Sequence, residues 1–81
     1  MRIVYFAWVR EQIGLDEEAA PEGASTVADL LEMLRSKGGG HAAAFADETK
    51  LRFALDKLMV KPDAKLGDAG ELAIFPPVTG G

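Results

Sequence analysis

The segment Glu71-Leu72-Ala73-Ile74-Phe75, near the end of this 81-residue chain, places four apolar residues in a row. A second continuous run, Ile3 to Trp8, lies at the start and consists of β-branched, aromatic and small apolar residues. Continuous apolarity, without alternating polar residues, is typical of strands that are covered on both faces. We therefore predict that the first and last strands are neighbours at the centre of one sheet.

One helix is predicted with clear signals between these two strands. Its apolar residues recur at i, i+3, i+4 and i+7 and form one stripe: Val27, Leu30, Leu31 and Leu34. Thr26 and Asp29 have the spacing of a capping box at its start, and Gly38 to Gly40 are predicted to end it in a flexible corner. A helical crossover between adjacent strands makes them a parallel pair.

Shorter elements complete the predicted fold. Val9 to Gly14 is predicted as a helical turn, Asp16 to Ala20 as an edge strand, and His41 to Asp47 as a second short helical turn. Leu51 to Val60 is predicted as two short apolar runs that are split at Asp56-Lys57 by a hairpin turn or a kink in the sheet. The fold class is therefore α+β, with a mixed sheet and one main helix packed across one face, which is the β-grasp arrangement. It spans residues 1–75, and residues 76–81 form an extended tail.

Few side chains in the chain could carry chemistry by themselves. The sequence contains no cysteine, which excludes disulfides, thiolate metal sites and a cysteine nucleophile. His41 is the single histidine, predicted to be exposed, and one histidine cannot hold a metal ion. The acidic groups Asp16-Glu17-Glu18 and Asp47-Glu48 lack the spacing of a metal-binding loop and are interpreted as solvated surface.

Charge and hydropathy also limit the partners. The formal net charge of −4 at pH 7 argues against binding to nucleic acid. No apolar run approaches the roughly 20 residues that are needed to cross a bilayer, so no membrane contact is expected. The default interpretation is a small cytoplasmic protein that docks into a basic cleft of another protein.

The chain ends in Pro76-Pro77-Val78-Thr79-Gly80-Gly81. The two prolines lack an N–H group and fix φ, so the sheet stops and the chain leaves in an extended form. Six extended residues reach roughly 20 Å, and Gly80 and Gly81 fit a channel too narrow for side chains. The terminal carboxylate needs activation, most simply as an acyl-adenylate made with ATP. Without a thiol, sulfur could be carried only as a thiocarboxylate on Gly81.

Several of these segments match one known family. The most specific is Phe75-Pro76-Pro77-Val78-Thr79-Gly80-Gly81; three others also fit, namely Phe6-Ala7 with Val9-Arg10-Glu11, Thr26-Val27 with Leu30, and Gly70-Glu71-Leu72. The chain resembles the ubiquitin-like sulfur-carrier family, which contains the small subunits of molybdopterin synthase and the thiamine sulfur carriers. It departs from many relatives at Asp56, where they carry Asn.

The resemblance implies a defined role for the tail. A ubiquitin-activating-type adenylyltransferase would use ATP to adenylate Gly81, which is then converted to the thiocarboxylate that donates sulfur to cyclic pyranopterin monophosphate. The large subunit of molybdopterin synthase would receive the tail residues, Pro76, Pro77, Val78, Thr79 and Gly80, in an assembly of two small and two large subunits. The catalytic groups would lie on that large subunit. This chain would then be no enzyme on its own and would bind no cofactor or metal.

The resemblance also implies a docking surface. Phe6, Leu58 and Phe75 are expected to contact the partner, although each could equally belong to the core. Arg10 is expected to pair with an acidic group of the partner or with the surroundings of Glu11; such exposed pairs contribute at most about 1 kcal/mol.

Three other functions remain open. The chain could carry sulfur for another pathway, such as thiamine thiazole synthesis or tRNA thiolation, but the double proline favours molybdopterin synthesis. It could be a modifier that is joined to lysines through Gly81. It could also be a β-grasp interaction module with an inert tail.

Overall fold

The computed structural model describes residues 1–77 and contains five strands and three helices in that part of the chain. The strands are β1 (Arg2–Tyr5), β2 (Glu17–Ala19), β3 (Arg52–Leu55), β4 (Leu58–Val60) and β5 (Glu71–Phe75). The helices are α1 (Ala7–Ile13), α2 (Val27–Arg35) and α3 (Gly39–Ala44), followed by a 3-10 turn at Glu48–Lys50. The strands form one mixed sheet in the order β2-β1-β5-β3-β4.

The predicted pairing of the first and last strands is confirmed. β1 and β5 run parallel, with Val4 opposite Ala73 and Tyr5 opposite Ile74, and β5 is the middle strand of the sheet. The predicted first strand was too long, because it ends at Tyr5 and α1 begins at Ala7. Ala7 has a φ of 53°, and this left-handed backbone turns the chain from strand to helix.

Helix α2 covers one face of the sheet, as predicted. Thr26 Oγ1 accepts a hydrogen bond from the Asp29 N–H at 3.1 Å, and the Asp29 carboxylate accepts one from the Thr26 N–H at 3.1 Å. This reciprocal capping box fixes the start of the helix. The predicted stripe is fully or almost fully buried against the sheet: Val27, Leu30, Leu31 and Leu34.

The glycine run has a different role from the one predicted. Helix α2 ends at Arg35, whereas Gly38 and Gly39, with φ of 78° and 52°, lead into α3. A Cβ at Gly40 would overlap the carbonyl oxygen of Gln12 in α1. The run is therefore not a loose corner, because it starts α3 and lets that helix lie directly on the backbone of α1.

A hairpin, rather than a kink in the sheet, joins β3 to β4. Asp56 and Lys57, with φ of 45° and 72°, form the two-residue turn, and positive φ at both positions is typical of a type I′ turn. The Asp56 carboxylate accepts hydrogen bonds from the N–H groups of Gly70 at 3.0 Å and Glu71 at 3.1 Å. Aspartate tolerates the left-handed region much as asparagine does, so Asp56 suits this turn.

Candidate functional site

The predicted tail begins where the central strand ends. β5 ends at Phe75, and Pro76 and Pro77 follow as partly exposed residues outside the sheet. The predictions for Val78, Thr79, Gly80 and Gly81 fall outside the described residues. The division into a domain of residues 1–75 and a tail of residues 76–81 stays a prediction.

Phe6 and Phe75 lie side by side where the tail leaves. The Phe6 N–H donates to the Ile74 carbonyl at 3.2 Å and so continues the parallel ladder past Tyr5. Tyr5 and Ile74 point into the core under the helices. Alternation along each strand therefore directs Phe6 and Phe75 to the opposite, helix-free face. Phe6 is 45% exposed, so it is not a core residue.

Leu58 lies away from this aromatic pair. It stands opposite Leu55 in the hairpin, and Leu55 stands opposite Leu72 on β5. Leu72 precedes Phe75 by three residues, which is about 10 Å along a strand. Leu58 is 72% exposed, so it is not a core residue either. The structure brings Phe6 and Phe75 together and places Leu58 on the far edge strand; their contact with a partner stays a prediction.

Arg10 is held on the same corner as Phe6. Its N–H donates to the Phe6 carbonyl at 3.3 Å in the first turn of α1. Its Nε lies 3.9 Å from the carboxylate of Asp16, and both side chains are largely exposed. A long, exposed ion pair of this kind contributes little stability, so a partner's carboxylate could replace Asp16 at small cost.

A polar cluster around Glu18 contradicts two predictions. Glu18 Oε2 accepts a hydrogen bond from the Tyr5 hydroxyl at 2.6 Å and lies 2.6 Å from His41 Nε2, while Lys37 Nζ donates to Oε1 at 2.9 Å. The side chains of Glu18 and His41 are only 14% and 15% exposed, so neither belongs to a solvated surface. Strand alternation is the signal for Glu18 alone, because Glu18 faces inward between outward-facing Glu17 and Ala19.

Burial alone would raise the pKa of the Glu18 carboxyl. The hydrogen bonds from Tyr5, His41 and Lys37 outweigh burial and lower that pKa to about 2. Burial and the adjacent carboxylate raise the pKa of the Tyr5 hydroxyl well above its usual range. The Glu18 carboxylate is therefore ionised at neutral pH, and its contacts link β1, β2, α3 and the segment that follows α2.

Within residues 1–77, no group of three acidic, histidine or cysteine side chains is placed to hold a metal ion. No helix in the same part of the chain is long and apolar enough to cross a membrane. The described side chains therefore offer two features: an exposed corner formed by Phe6, Arg10 and Phe75 at the end of β5, and the Glu18 cluster, which is tied into the fold by contacts with Tyr5, Lys37 and His41.

The chain has a β-grasp fold with its last strand at the centre of the sheet. This fold places it in the ubiquitin-like class of proteins. More narrowly, the chain belongs to the ThiS family, whose model matches residues 3–81.

Individual relatives cover the chain almost completely. The molybdopterin synthase sulfur carrier subunit of Escherichia coli is 36% identical over 81 residues, covering 100% of this chain and 99% of its own. The subunit of the same name from Haemophilus influenzae is 32% identical with the same coverage.

Two solved structures share the fold. A chain described as molybdopterin converting factor, subunit 1, from Pyrococcus furiosus has a TM-score of 0.71 and 33% identity, covering 95% of each chain. SAMP1 from Haloferax volcanii has a TM-score of 0.72 and 24% identity, covering 100% of this chain and 98% of its own. The second likeness bears on the fold alone.

Proposed function

We propose that this chain is the sulfur-carrier subunit of a molybdopterin synthase and that Gly81 carries the sulfur. The full-length match to two subunits named as sulfur carriers of that synthase is the main support. The ending Phe75-Pro76-Pro77-Val78-Thr79-Gly80-Gly81 supplies the unhindered carboxylate that such a role requires.

The proposed chemistry takes place at the terminal carboxylate. A carboxylate oxygen of Gly81 attacks the α-phosphorus of ATP on a ubiquitin-activating-type adenylyltransferase, and pyrophosphate leaves. Sulfur at the oxidation level of sulfide then attacks the acyl carbon and displaces AMP, which leaves a thiocarboxylate. On the large synthase subunit the thiocarboxylate sulfur bonds to cyclic pyranopterin monophosphate, and water then cleaves the acyl–sulfur bond, so that the sulfur stays on the pterin and the carrier regains its carboxylate. This chain contributes the displayed terminus, and the catalytic groups lie on its partners.

The tail exit is the proposed docking corner. Phe6 and Phe75 present aromatic surface on the helix-free face, and Arg10 adds a charge beside them. A partner seated on this corner would lie within roughly 20 Å of Gly81, which is the reach of six extended residues. Two small and two large subunits form the proposed assembly.

The intact mass of the protein tests this proposal. The full chain is incubated with ATP, its adenylyltransferase and a sulfur source; we expect a mass gain equal to the exchange of one oxygen for sulfur. The control is a chain without Gly81, which should fold identically and gain nothing. An unchanged mass of the full chain with a competent adenylyltransferase would refute the proposal.

A second candidate function is that of a sulfur carrier in another pathway, because membership of the ThiS family does not by itself identify the pathway that receives the sulfur. The thiocarboxylate form is therefore offered separately to the large synthase subunit and to a thiazole-forming enzyme. Molybdopterin formation supports the first function. Sulfur transfer to the thiazole alone supports a carrier of another pathway.

A further inference from the structure

The free edge of the sheet at β4 is apolar and basic. We define the β4 edge surface by residues of the β3–β4 hairpin and the chain that follows it: Arg52, Lys57, Leu58, Met59 and Lys61. Leu58 and Met59 are 72% and 62% exposed, the two highest values among the large hydrophobic residues of the described chain. Exposed apolar edge strands tend to pair with other strands unless something covers them.

The backbone of Met59 is available for such pairing. Leu55 and Leu58 flank the two-residue turn and form the hydrogen-bonded pair next to it. The following pair, Ala54 and Met59, is then a non-hydrogen-bonded pair. The N–H and C=O groups of Met59 therefore point away from β3, toward the open side of the sheet. An added strand could accept and donate one hydrogen bond there.

The cations of this surface lack acidic partners. Arg52, Lys57 and Lys61 are exposed, and none has a carboxylate oxygen within 4.0 Å among residues 1–77. Four cations elsewhere each pair with a carboxylate: Arg2, Arg10, Arg35 and Lys37. Of the nearby carboxylates, that of Asp56 is held by the N–H groups of Gly70 and Glu71, whereas that of Glu48 lines a cavity beside β4.

A cavity of about 540 Å³ lies against the same strand. Met59 and Val60 form part of its lining, and the cations Arg52 and Lys61 outnumber the single carboxylate, Glu48. An extended chain that adds to β4 would direct alternate side chains into this space. Acidic side chains there would meet Lys61 and Arg52; Arg52 Nη1 also donates to the carbonyls of Thr49 and Leu51.

We propose that the β4 edge surface binds an acidic, extended segment of a partner protein, which adds to the sheet as a sixth strand beside β4. The surface is basic although the chain as a whole has a net charge of −4. Charge complementarity therefore selects an acidic partner strand. The inference does not rest on sulfur transfer, because its test needs neither Gly81 nor the synthase, although Leu58 also belongs to the docking residues that the family resemblance implies.

The test uses the full chain, labelled with nitrogen-15, and a synthetic peptide of alternating valine and glutamate. We expect chemical-shift changes centred on the amide signals of Leu58, Met59 and Val60, with binding that weakens as salt increases. The double variant K57E/K61E should bind about tenfold more weakly or worse. Lys50→Glu is the matched control, since Lys50 lies in the 3-10 turn and lines a different cavity.

Three outcomes would overturn the proposal. The first is no change in these amide signals at millimolar peptide. The second is equal binding of a valine–lysine peptide, which would mean that charge does not select the partner. The third is tighter binding of a single-stranded RNA oligonucleotide to the same residues, which would assign the surface to nucleic acid.

Discussion

Glu18 is a single side chain that joins three elements of the fold and the segment that follows α2. Its carboxylate contacts Tyr5 in β1, Lys37 after α2 and His41 in α3, while its own backbone belongs to β2. A charged group that is 14% exposed is stabilised only while these partners remain. Removing the charge would leave the Tyr5 hydroxyl and the Lys37 ammonium with a weaker acceptor.

We therefore predict that Glu18→Gln lowers the free energy of unfolding by about 1–3 kcal/mol at pH 7, as expected for a hydrogen-bonded charge. The matched control is Glu17→Gln on the neighbouring residue. Glu17 is half exposed and pairs only with exposed Arg2, so its loss should cost at most about 1 kcal/mol. Urea unfolding of the three proteins measures both values. Equal effects of the two variants would contradict the role assigned to the cluster.

The pKa of Glu18 also predicts that the stability of the folded chain depends on pH. The pKa of Glu18 is about 2 in the folded chain, below its ordinary value of 4.5, so the unfolded state binds the proton first as the pH falls. The stabilisation from Glu18 is complete above pH 4.5 and is lost as the pH falls toward 2. The stability difference between wild type and Glu18→Gln should therefore shrink below pH 4.5. A constant difference across urea titrations from pH 6 to about pH 3 would argue against this linkage.

At the scale of elements, α3 and α1 touch through their backbones at Gly40. An added Cβ would overlap the carbonyl oxygen of Gln12, which cannot move without displacing α1. The contact sets how closely α3 approaches the corner that carries Phe6 and Arg10. Alanine has a higher helix propensity than glycine, but the contact with α1 excludes it at position 40.

We predict that Gly40→Ala destabilises the protein by about 1–3 kcal/mol, the usual cost of overpacking, although alanine favours helices. Gly70→Ala is the matched control. Its added Cβ meets only Asp56 Oδ1 at 3.7 Å, an ordinary contact, and its φ is not positive. Thermal unfolding compares the two variants. A Gly40→Ala protein that is as stable as Gly70→Ala would mean that α1 and α3 separate easily.

Local chemistry explains which elements could be predicted. The capping box at Thr26 and the polar turn at Asp56-Lys57 act within a few residues, so their patterns are visible in the sequence. The end of β1 could not be predicted from the sequence. Ala7 adopts a left-handed backbone there, a conformation that is usually marked by glycine. The role of Gly40 was also hidden, since it depends on a helix some thirty residues earlier in the chain.

At the scale of the whole molecule, the fold followed from the two continuous apolar strands, whereas the site did not. The parallel pairing of β1 and β5 puts Phe6 beside Phe75, and the sequence alone could not separate that pair from Leu58. The Glu18 cluster joins residues from three separate segments, so a single-segment pattern could not predict that His41 is largely buried. Long-range contacts of this kind are determined by tertiary packing.

We expect that the tail can be varied without disturbing the strands and helices of residues 1–75, since chain termini commonly contribute little to stability. We predict that Gly80→Val leaves the free energy of unfolding within about 0.5 kcal/mol of wild type. The same change should slow adenylation or sulfur transfer by about tenfold or more, equivalent to about 1.4 kcal/mol of barrier, because a branched side chain would not enter a channel sized for glycine.

The matched control for Gly80→Val is Thr79→Val, which introduces the same side chain one residue earlier in place of one of similar size. Single-turnover sulfur transfer to the large synthase subunit, with thermal unfolding measured in parallel, separates a steric effect from a folding defect. If both variants transfer sulfur at the wild-type rate, Gly80 does not pass through a narrow channel. If both are slow and equally stable, the hydroxyl of Thr79, rather than the size of residue 80, controls entry of the tail.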